Sequence, residues 1–209
     1  DLNKIVENIS PLNVRSKIIN CDEQVLMTDK PTDAIRLKKN SSMQLSIDHV
    51  ASGKSNAVLS CGNTGALMAI SLLKLRTVAS IKRPSIASIW PNIKGESIVL
   101  DLGANIKNDT NSLIDNAILG SALAKVLFSM TEPSVGLLNV GIEEMKGNEN
   151  VQKASEILLE MSNKKQLNYY GFVEGADISN GITNVIVTDG FTGNIALKTA
   201  EGTASMVQS

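Results

Sequence analysis

The chain has 209 residues, 43% of them hydrophobic and 20% charged, enough to bury a large core as one large or two small domains, which excludes a disordered chain. A net charge of −1 supplies no field that draws in nucleic acid, and an aromatic share of 3% leaves few platforms for stacking bases. Two cysteines without C-x-x-C spacing and a single histidine indicate neither a disulfide framework nor a zinc site, and no run of about 20 apolar residues is present to span a membrane.

In chain order, Leu2, Ile5, Val6 and Ile9 repeat at helical spacing as far as Pro11, and Val14 to Ile19 then alternates as a strand does. The chain opens inside that helical pattern and without methionine, so it reads as part of a longer protein, in the reducing setting that free cysteines imply. Asp29 to Thr32 is a turn. Ala34 to Lys39 and Met43 to Val50 are predicted helices, the second capped by a hydroxyl at Ser41 or Ser42 and buried along Met43, Ile47 and Val50. Arg36, Lys38 and Lys39 read as a solvated face, with docking of an acidic partner as the other reading. His49 lies next to the buried stripe and takes no role.

One grammar recurs along the rest of the chain, in Ala57-Val-Leu-Ser-Cys-Gly-Asn-Thr-Gly65, Ile98-Val-Leu-Asp-Leu-Gly-Ala-Asn105, Val135-Gly-Leu-Leu-Asn-Val-Gly141 and Val185-Ile-Val-Thr-Asp-Gly-Phe-Thr-Gly-Asn194. Each is a short apolar run that delivers Asn, Asp or Thr into a glycine turn, as strands buried on both faces of a parallel sheet do. The carboxyl ends of such strands are where ligands bind, so these ends predict one shared site. The helix Ala66 to Leu75 is apolar nearly all round and is expected to pack inside, with its amino end at Asn63 and Thr64 ready for an anion or simply capped. Cys61 reads as a small structural residue rather than a nucleophile.

Ser85 to Trp90 is strand-like, and Asn92 to Glu96 makes a hairpin-like link into the run at Ile98. A long helix over Ser112 to Met130 carries Ala117, Gly120, Ser121 and Ala124, small residues that admit a neighbouring backbone. Asn139 then leads into a loop crowded with Glu143, Glu144, Lys146 and Asn148, ahead of a helix with the stripe Val151, Ala154, Leu158 and Met161. A lysine there suits a phosphate, and the glutamates are expected to keep it protonated and oriented. Gly171 to Gly175 is one more short strand and turn. A final helix over Ile195 to Met206 is predicted to start at Asn194, making a second anion-ready terminus with Lys198 one turn inside it and Gly190 and Gly193 allowing close backbone approach.

Taken together, Cys61-Gly-Asn-Thr-Gly-Ala-Leu-Met68, Arg83-Pro84, Asp101-Leu-Gly-Ala-Asn105, Gly136 to Gly141 with Glu143, Glu144 and Lys146-Gly-Asn148, Glu174-Gly175 and Asp189 to Thr199 resemble the bacterial phosphate acyltransferase family. The turn Lys30-Pro31 with Ala34, Arg36, Lys39 and Ser41-Ser-Met43 matches as well, so the resemblance runs from about Asp22 to Glu201. Cys61 stands where the family usually has alanine, Ile106 to Thr110 lacks the family's cysteine and proline, and the family's first strand and everything beyond Ser209 are outside this sequence.

The resemblance implies an enzyme that moves a fatty acyl chain from acyl carrier protein to inorganic phosphate for phospholipid synthesis, with no cofactor and no metal. It implies an α/β fold, a three-layer αβα arrangement with a mostly parallel sheet like that of isocitrate and isopropylmalate dehydrogenases, here as a single domain over 1–209. It further implies a cytoplasmic homodimer that touches the inner face of the membrane through segments outside this chain. Carried onto these residues, Lys146 and the helix start at Asn194 are expected to hold phosphate. Asn139, Asn63 and Thr64 are expected to donate near the thioester carbonyl. Gly65, Asp101, Asn105, Glu144, Asn148, Asp189, Gly190 and Lys198 complete the expected substrate-binding set, with Asp101, Asn105 and Asp189 fixing turns or orienting Lys146. A coenzyme-A-dependent phosphate acetyltransferase and a non-catalytic module that binds acyl carrier protein are the alternatives. A decarboxylating dehydrogenase of the same fold would need helix-spaced aspartates and an arginine cluster, which are absent.

Overall fold

The computed structural model describes residues 2–9, 15–78, 81–106 and 109–208. They fall into two compact units, Asp1–Thr77 and Val78–Ser209.

The first unit holds helices α1 (Leu2–Asn8), α2 (Pro31–Leu37), α3 (Ser42–Ala51) and α4 (Thr64–Leu75). Ser41 caps α3, its hydroxyl accepting from the Gln44 N–H at 3.4 Å, as its position before the apolar stripe predicts. Val25, Ala34, Met43, Ile47, Ala66 and Ile70 form the core. Two expected strands are not there. Val14 lies outside the described residues, and the residues from Ser16 to Ile19 join no sheet. Ala57 to Cys61 belongs to no strand, and Leu59 is 93% exposed. Among the described residues the only β pairing in this unit is a bridge between Glu23 and Ser41, so an apolar run alone does not make a strand without a ladder to join. The apolar helix also differs from expectation. Only Ala66 and Ile70 of α4 are buried, and Leu72, Leu73 and Leu75 face outward, because α2 and α3 cover one side of it.

The second unit is built on strands β1 (Ala87–Asn92), β2 (Gly95–Leu100), β3 (Ser134–Leu138), β4 (Asn168–Val173) and β5 (Val185–Val187), and on helices α5 (Thr110–Leu127), α6 (Glu149–Asn163), α7 (Gly175–Asn180) and α8 (Gly190–Gln208). The strands lie in the order β1-β2-β5-β3-β4. β1 and β2 form the expected antiparallel hairpin, with Asn92 opposite Gly95, and the pairs β2 with β5, β5 with β3 and β3 with β4 are parallel. Alternation along β2 sends Ile98 and Leu100 to a core with Leu113, Ala117, Val151 and Leu158. It sends Val99 to the other face, with Ile186, Ile178 and Leu197. Helices therefore cover both faces of a mostly parallel sheet, and each wholly buried Leu or Ile among them, such as Ile98, Ile186 and Leu158, contributes about 2 kcal/mol. Gly120 lets α5 settle onto the strands, since a Cβ there would stand 2.5 Å from Val185 Cγ1.

One boundary differs from the sequence reading. The last helix begins at Gly190 rather than after Asn194. Neither Gly190 nor Gly193 has a positive φ. These glycines are set by close packing, not by a turn.

Candidate active site at the carboxyl edge of the sheet

Because β2, β5 and β3 are parallel neighbours, Leu100, Val187 and Leu138 end on one edge. Three of the recurring strand-and-turn segments therefore meet in the second unit, while Asn63, Thr64 and Gly65 belong to the first.

At the end of β2, Asp101 is wholly buried. Its Oδ1 accepts from the N–H groups of Ile86 (3.2 Å), Gly103 (3.1 Å) and Ala104 (2.8 Å). Its Oδ2 accepts from Asn105 N and Asn105 Nδ2, both at 2.9 Å. Asn105 Nδ2 also donates to the Pro84 carbonyl at 3.0 Å. With these donors around it the carboxylate closes its own turn and ties it to the chain ahead of β1.

After β5, Asp189 caps α8, its carboxylate accepting from Thr192 N at 2.9 Å and Thr192 Oγ1 at 2.6 Å. The helix start expected to hold an anion is thus already faced by a negative side chain. Asn194 sits inside the helix and donates from Nδ2 to the Leu102 carbonyl at 3.1 Å. Gly190 N donates to Asn105 O at 3.1 Å, and a Cβ on Gly190 would come within 2.5 Å of that oxygen. A Cβ on Gly193 would strike the Asp101 carbonyl oxygen. The close backbone approach these glycines permit is to the chain itself. Lys198, further along α8, pairs with Glu201 at 2.7 Å.

After β3, Asn139 donates from Nδ2 to the Lys146 carbonyl at 3.0 Å, and its side chain lies over Gly147, whose φ of +90° favours glycine. Gln152 Nε2 reaches back to the carbonyls of Met145 (2.9 Å) and Gly147 (3.3 Å), and Asn148 caps α6 through Val151 N at 3.1 Å. This loop has a pinned backbone and outward side chains, with Met145 90% exposed. Lys146 and Glu144 are exposed too. Among the described residues no ion pair joins Lys146 to Glu143 or Glu144, contrary to the expectation that the glutamates hold it. A solvent-exposed pair is worth little, and the backbone turn from Lys146 N to Glu143 O at 3.0 Å decides the shape.

In the first unit Asn63 caps α4, accepting from Ala66 N at 3.0 Å. Its Nδ2 donates to the carbonyls of Leu26, Met27 and Asp29. Thr64 and Gly65 form the first turn of that helix. From the cluster of bases, Lys38 pairs with Asp29 at 2.5 Å. That ammonium is the first cause, with the Leu26 N–H next, that keeps the Asp29 carboxyl below its ordinary range.

A second feature of the Val78–Ser209 unit carries no glycine turn. A cavity of about 330 Å³ is lined by Lys82, Arg83, Ser85, Asp109, Asp115 and Asn116, and it is bordered by Asn105 and Asn150. Asn116 is 3% exposed and accepts at Oδ1 from Ser85 Oγ at 2.5 Å. Its Nδ2 is buried without a partner among the described residues, at a cost of about 1–3 kcal/mol. Asp109 caps α5, accepting from Ser112 N and Oγ at 2.8 Å each. Those two bonds, with a Coulombic pull from Lys82, hold its carboxyl below the usual range. Among the described residues no group of three or more His, Cys, Asp or Glu side chains is placed to hold a metal ion.

The family profile described as Fatty acid synthesis protein matches residues 1–209. The chain belongs to that family. Among curated relatives, the phosphate acyltransferase of Azorhizobium caulinodans is 52% identical over 206 residues, covering 98% of this chain and 58% of the relative. That of Mesorhizobium japonicum is 52% identical over 193 residues, covering 92% and 54%. The resemblance read from the motifs is borne out, and the chain spans a little over half the length of these relatives. Among solved structures, the EutD phosphotransacetylase from Staphylococcus aureus is similar with a TM-score of 0.61 at 19% identity, covering 98% of this chain and 73% of that one. A phosphotransacetylase from Streptococcus pyogenes gives 0.60 at 18%, covering 83% and 58%. At such identities the likeness is one of α/β fold.

In this member of the fatty acid synthesis protein family, sequence reasoning missed the polar cavity. Arg83-Pro84 enters the sequence reading only as one motif of the family resemblance, and the available signal was Asn116, a polar residue on the same stripe as Leu113, Ala117 and Gly120.

Proposed function

We propose that the full-length protein transfers a fatty acyl chain from an acyl carrier protein thioester to inorganic phosphate, giving acyl phosphate for phospholipid synthesis. The observation that carries this reading is 52% identity, over nearly the whole chain, to proteins named phosphate acyltransferase. A phosphate oxygen attacks the thioester carbonyl, the tetrahedral oxyanion collapses, and the carrier thiol leaves with the proton that phosphate brought. Such a site needs fixed positive charge and N–H donors around a dianion rather than a cofactor or metal. Lys146 supplies the charge in this reading, on a loop that Asn139, Gln152 and Asn148 hold by its backbone. Asp101, Asn105, Asp189, Gly190 and Asn194 act as the frame around it. The same reading includes an isocitrate dehydrogenase-like ancestry of the fold, a homodimer in the cytoplasm, and contact with the inner face of the membrane through segments outside these residues. No helix among the described residues is long and apolar enough to cross a membrane.

The test is phosphate-dependent loss of acyl thioester by the full-length protein, with acyl carrier protein and coenzyme A as competing donors. Preference for the carrier protein thioester is expected, and equal use of coenzyme A would move the reading to the acetyltransferase class. Lys146→Met is expected to lower turnover about tenfold or more and to weaken the phosphate dependence. An unchanged phosphate dependence would remove Lys146 from the site.

A further inference from the structure

The cavity between Arg83 and α5 has an unusual hydrogen-bond balance. Its buried amide, Asn116 Nδ2, lacks an acceptor among the described residues. Neither Lys82 nor Arg83 is in an ion pair among the described residues, and Lys82 reaches Asp109 only through longer-range attraction. Asp109 is itself occupied by the Ser112 N–H and hydroxyl, and Asn105 Nδ2 by Pro84 O and Asp101. What is left is a surplus of unpaired donors on Lys82, Arg83 and Asn116, in a lining whose two cations are matched in charge by Asp109 and Asp115, and one acceptor without a hydrogen bond among the described residues, the Asp115 carboxylate.

Monohydrogen phosphate fits that balance. It offers oxygens that accept and one hydroxyl that donates. Sulfate has the same shape and charge but no proton, so a carboxylate would face a bare oxygen. We propose that this cavity is the inorganic phosphate subsite of the transfer reaction, and that Asp115 is a specificity residue that selects phosphate over sulfate by accepting the P–OH hydrogen. The proposal rests on the acyltransferase reading for its ligand. It assigns phosphate contacts to Arg83, Lys82 and Asn116, which line this cavity, whereas Lys146 is not among the residues that line it. At about 330 Å³ the cavity exceeds what one tetrahedral oxyanion fills and lies in the range of small-molecule sites, so the reacting end of the acyl donor has room beside it.

The experiment is calorimetric titration of the full-length protein with inorganic phosphate and, separately, with sulfate, with folding of each variant checked by thermal unfolding. Wild type is expected to bind phosphate about tenfold or more tightly than sulfate, and Asp115→Asn to bring the two within about threefold. Arg83→Gln is expected to weaken both anions by about tenfold, and Asn116→Ala to weaken phosphate by a similar factor. Should Asn116→Ala fail to fold, the exposed Arg83 and half-buried Asp115 variants decide the matter. Equal binding of sulfate and phosphate by wild type, a selectivity that survives Asp115→Asn, or phosphate affinity unmoved by Arg83→Gln each overturns the proposal. Phosphate binding with these dependences in a protein that leaves acyl thioesters intact would sink the transferase reading and keep the subsite. Phosphate-dependent turnover whose phosphate KM ignores Arg83 and Asn116 would do the reverse.

Discussion

Asn63 and Asp101 both stand at the start of a polar turn, and they gather partners in opposite ways. Asp101 collects N–H donors from its own turn and from Ile86. Asn63 instead donates to three carbonyls of a distant segment, Leu26, Met27 and Asp29, while capping its helix. The difference follows from what surrounds each. In the Val78–Ser209 unit a ladder of strands already satisfies the backbone of the strands, so the polar residue at a strand end is left to close its turn and tie it to the segment ahead of β1. In Asp1–Thr77, where no sheet forms among the described residues, a side-chain amide takes carbonyls that a neighbouring strand would otherwise take.

The sharpest way to break this comparison is at the glycines. Gly193→Ala drives a methyl into the Asp101 carbonyl and to 2.8 Å from Thr188 Cγ2, against backbone that cannot yield, and is expected to cost about 3–5 kcal/mol in urea unfolding of the full-length protein. Gly62→Ala meets only the tip of Met43, at 3.1 Å, and Ser60 Oγ, at 3.4 Å, and should cost less than about 1 kcal/mol. Equal losses would mean that the two units are packed to the same tolerance.

A smaller effect tests the polar residues themselves. Asp101→Asn must turn an NH₂ towards N–H groups, and about 2–4 kcal/mol is expected to be lost. Asn63→Ala removes a cap and leaves carbonyls that water can reach, for about 1–2 kcal/mol. The reverse ranking would show that the first unit depends on its one amide more than the second depends on its carboxylate.

The smallest effect is confined to alkaline pH. Burial pushes the Tyr169 hydroxyl up to about 12 from an ordinary 10.0, partly offset by its hydrogen bond to Ser155. The unfolded chain releases this proton from about pH 10 while the folded chain holds it to about 12, so the contribution is complete below pH 10 and declines as pH rises through that window. Tyr169→Phe should flatten this part of the stability profile. A slope identical to wild type between pH 10 and 12 would mean that the hydroxyl is solvated.

Much of the sheet was legible because strands buried on both faces must be nearly continuous in apolar residues, and Ile98 to Leu100, Val135 to Leu138 and Val185 to Val187 are. Ala57 to Cys61 carries the same local signal and fails, since pairing is a non-local property and no partner strand stands beside it among the described residues. The start of α8 was misread because glycine is locally a helix breaker. Here Gly190 and Gly193 are demanded by the Asp101–Asn105 backbone, which lies far away in sequence. The loop of Lys146 was legible as polar and crowded, but the outward direction of its side chains was not. The cavity was least visible of all, assembled mainly from residues 82–85 and 109–116, which hold none of the strand-and-glycine-turn segments that marked the other strand ends.

The contact of α8 with the Asp101–Asn105 turn also has a mechanical side. A helix of 19 residues is a stiff rod about 28 Å long, and its first turn is seated without side-chain padding on the peptide of Asn105. It is a lever with a very short inner arm. Any tilt imposed near Gln208 arrives at Asn105 as a backbone displacement, because no flexible side chain lies between glycine and carbonyl to absorb it. Asn105 borders the polar cavity, so a load on the far end of the rod is felt at the wall of that cavity.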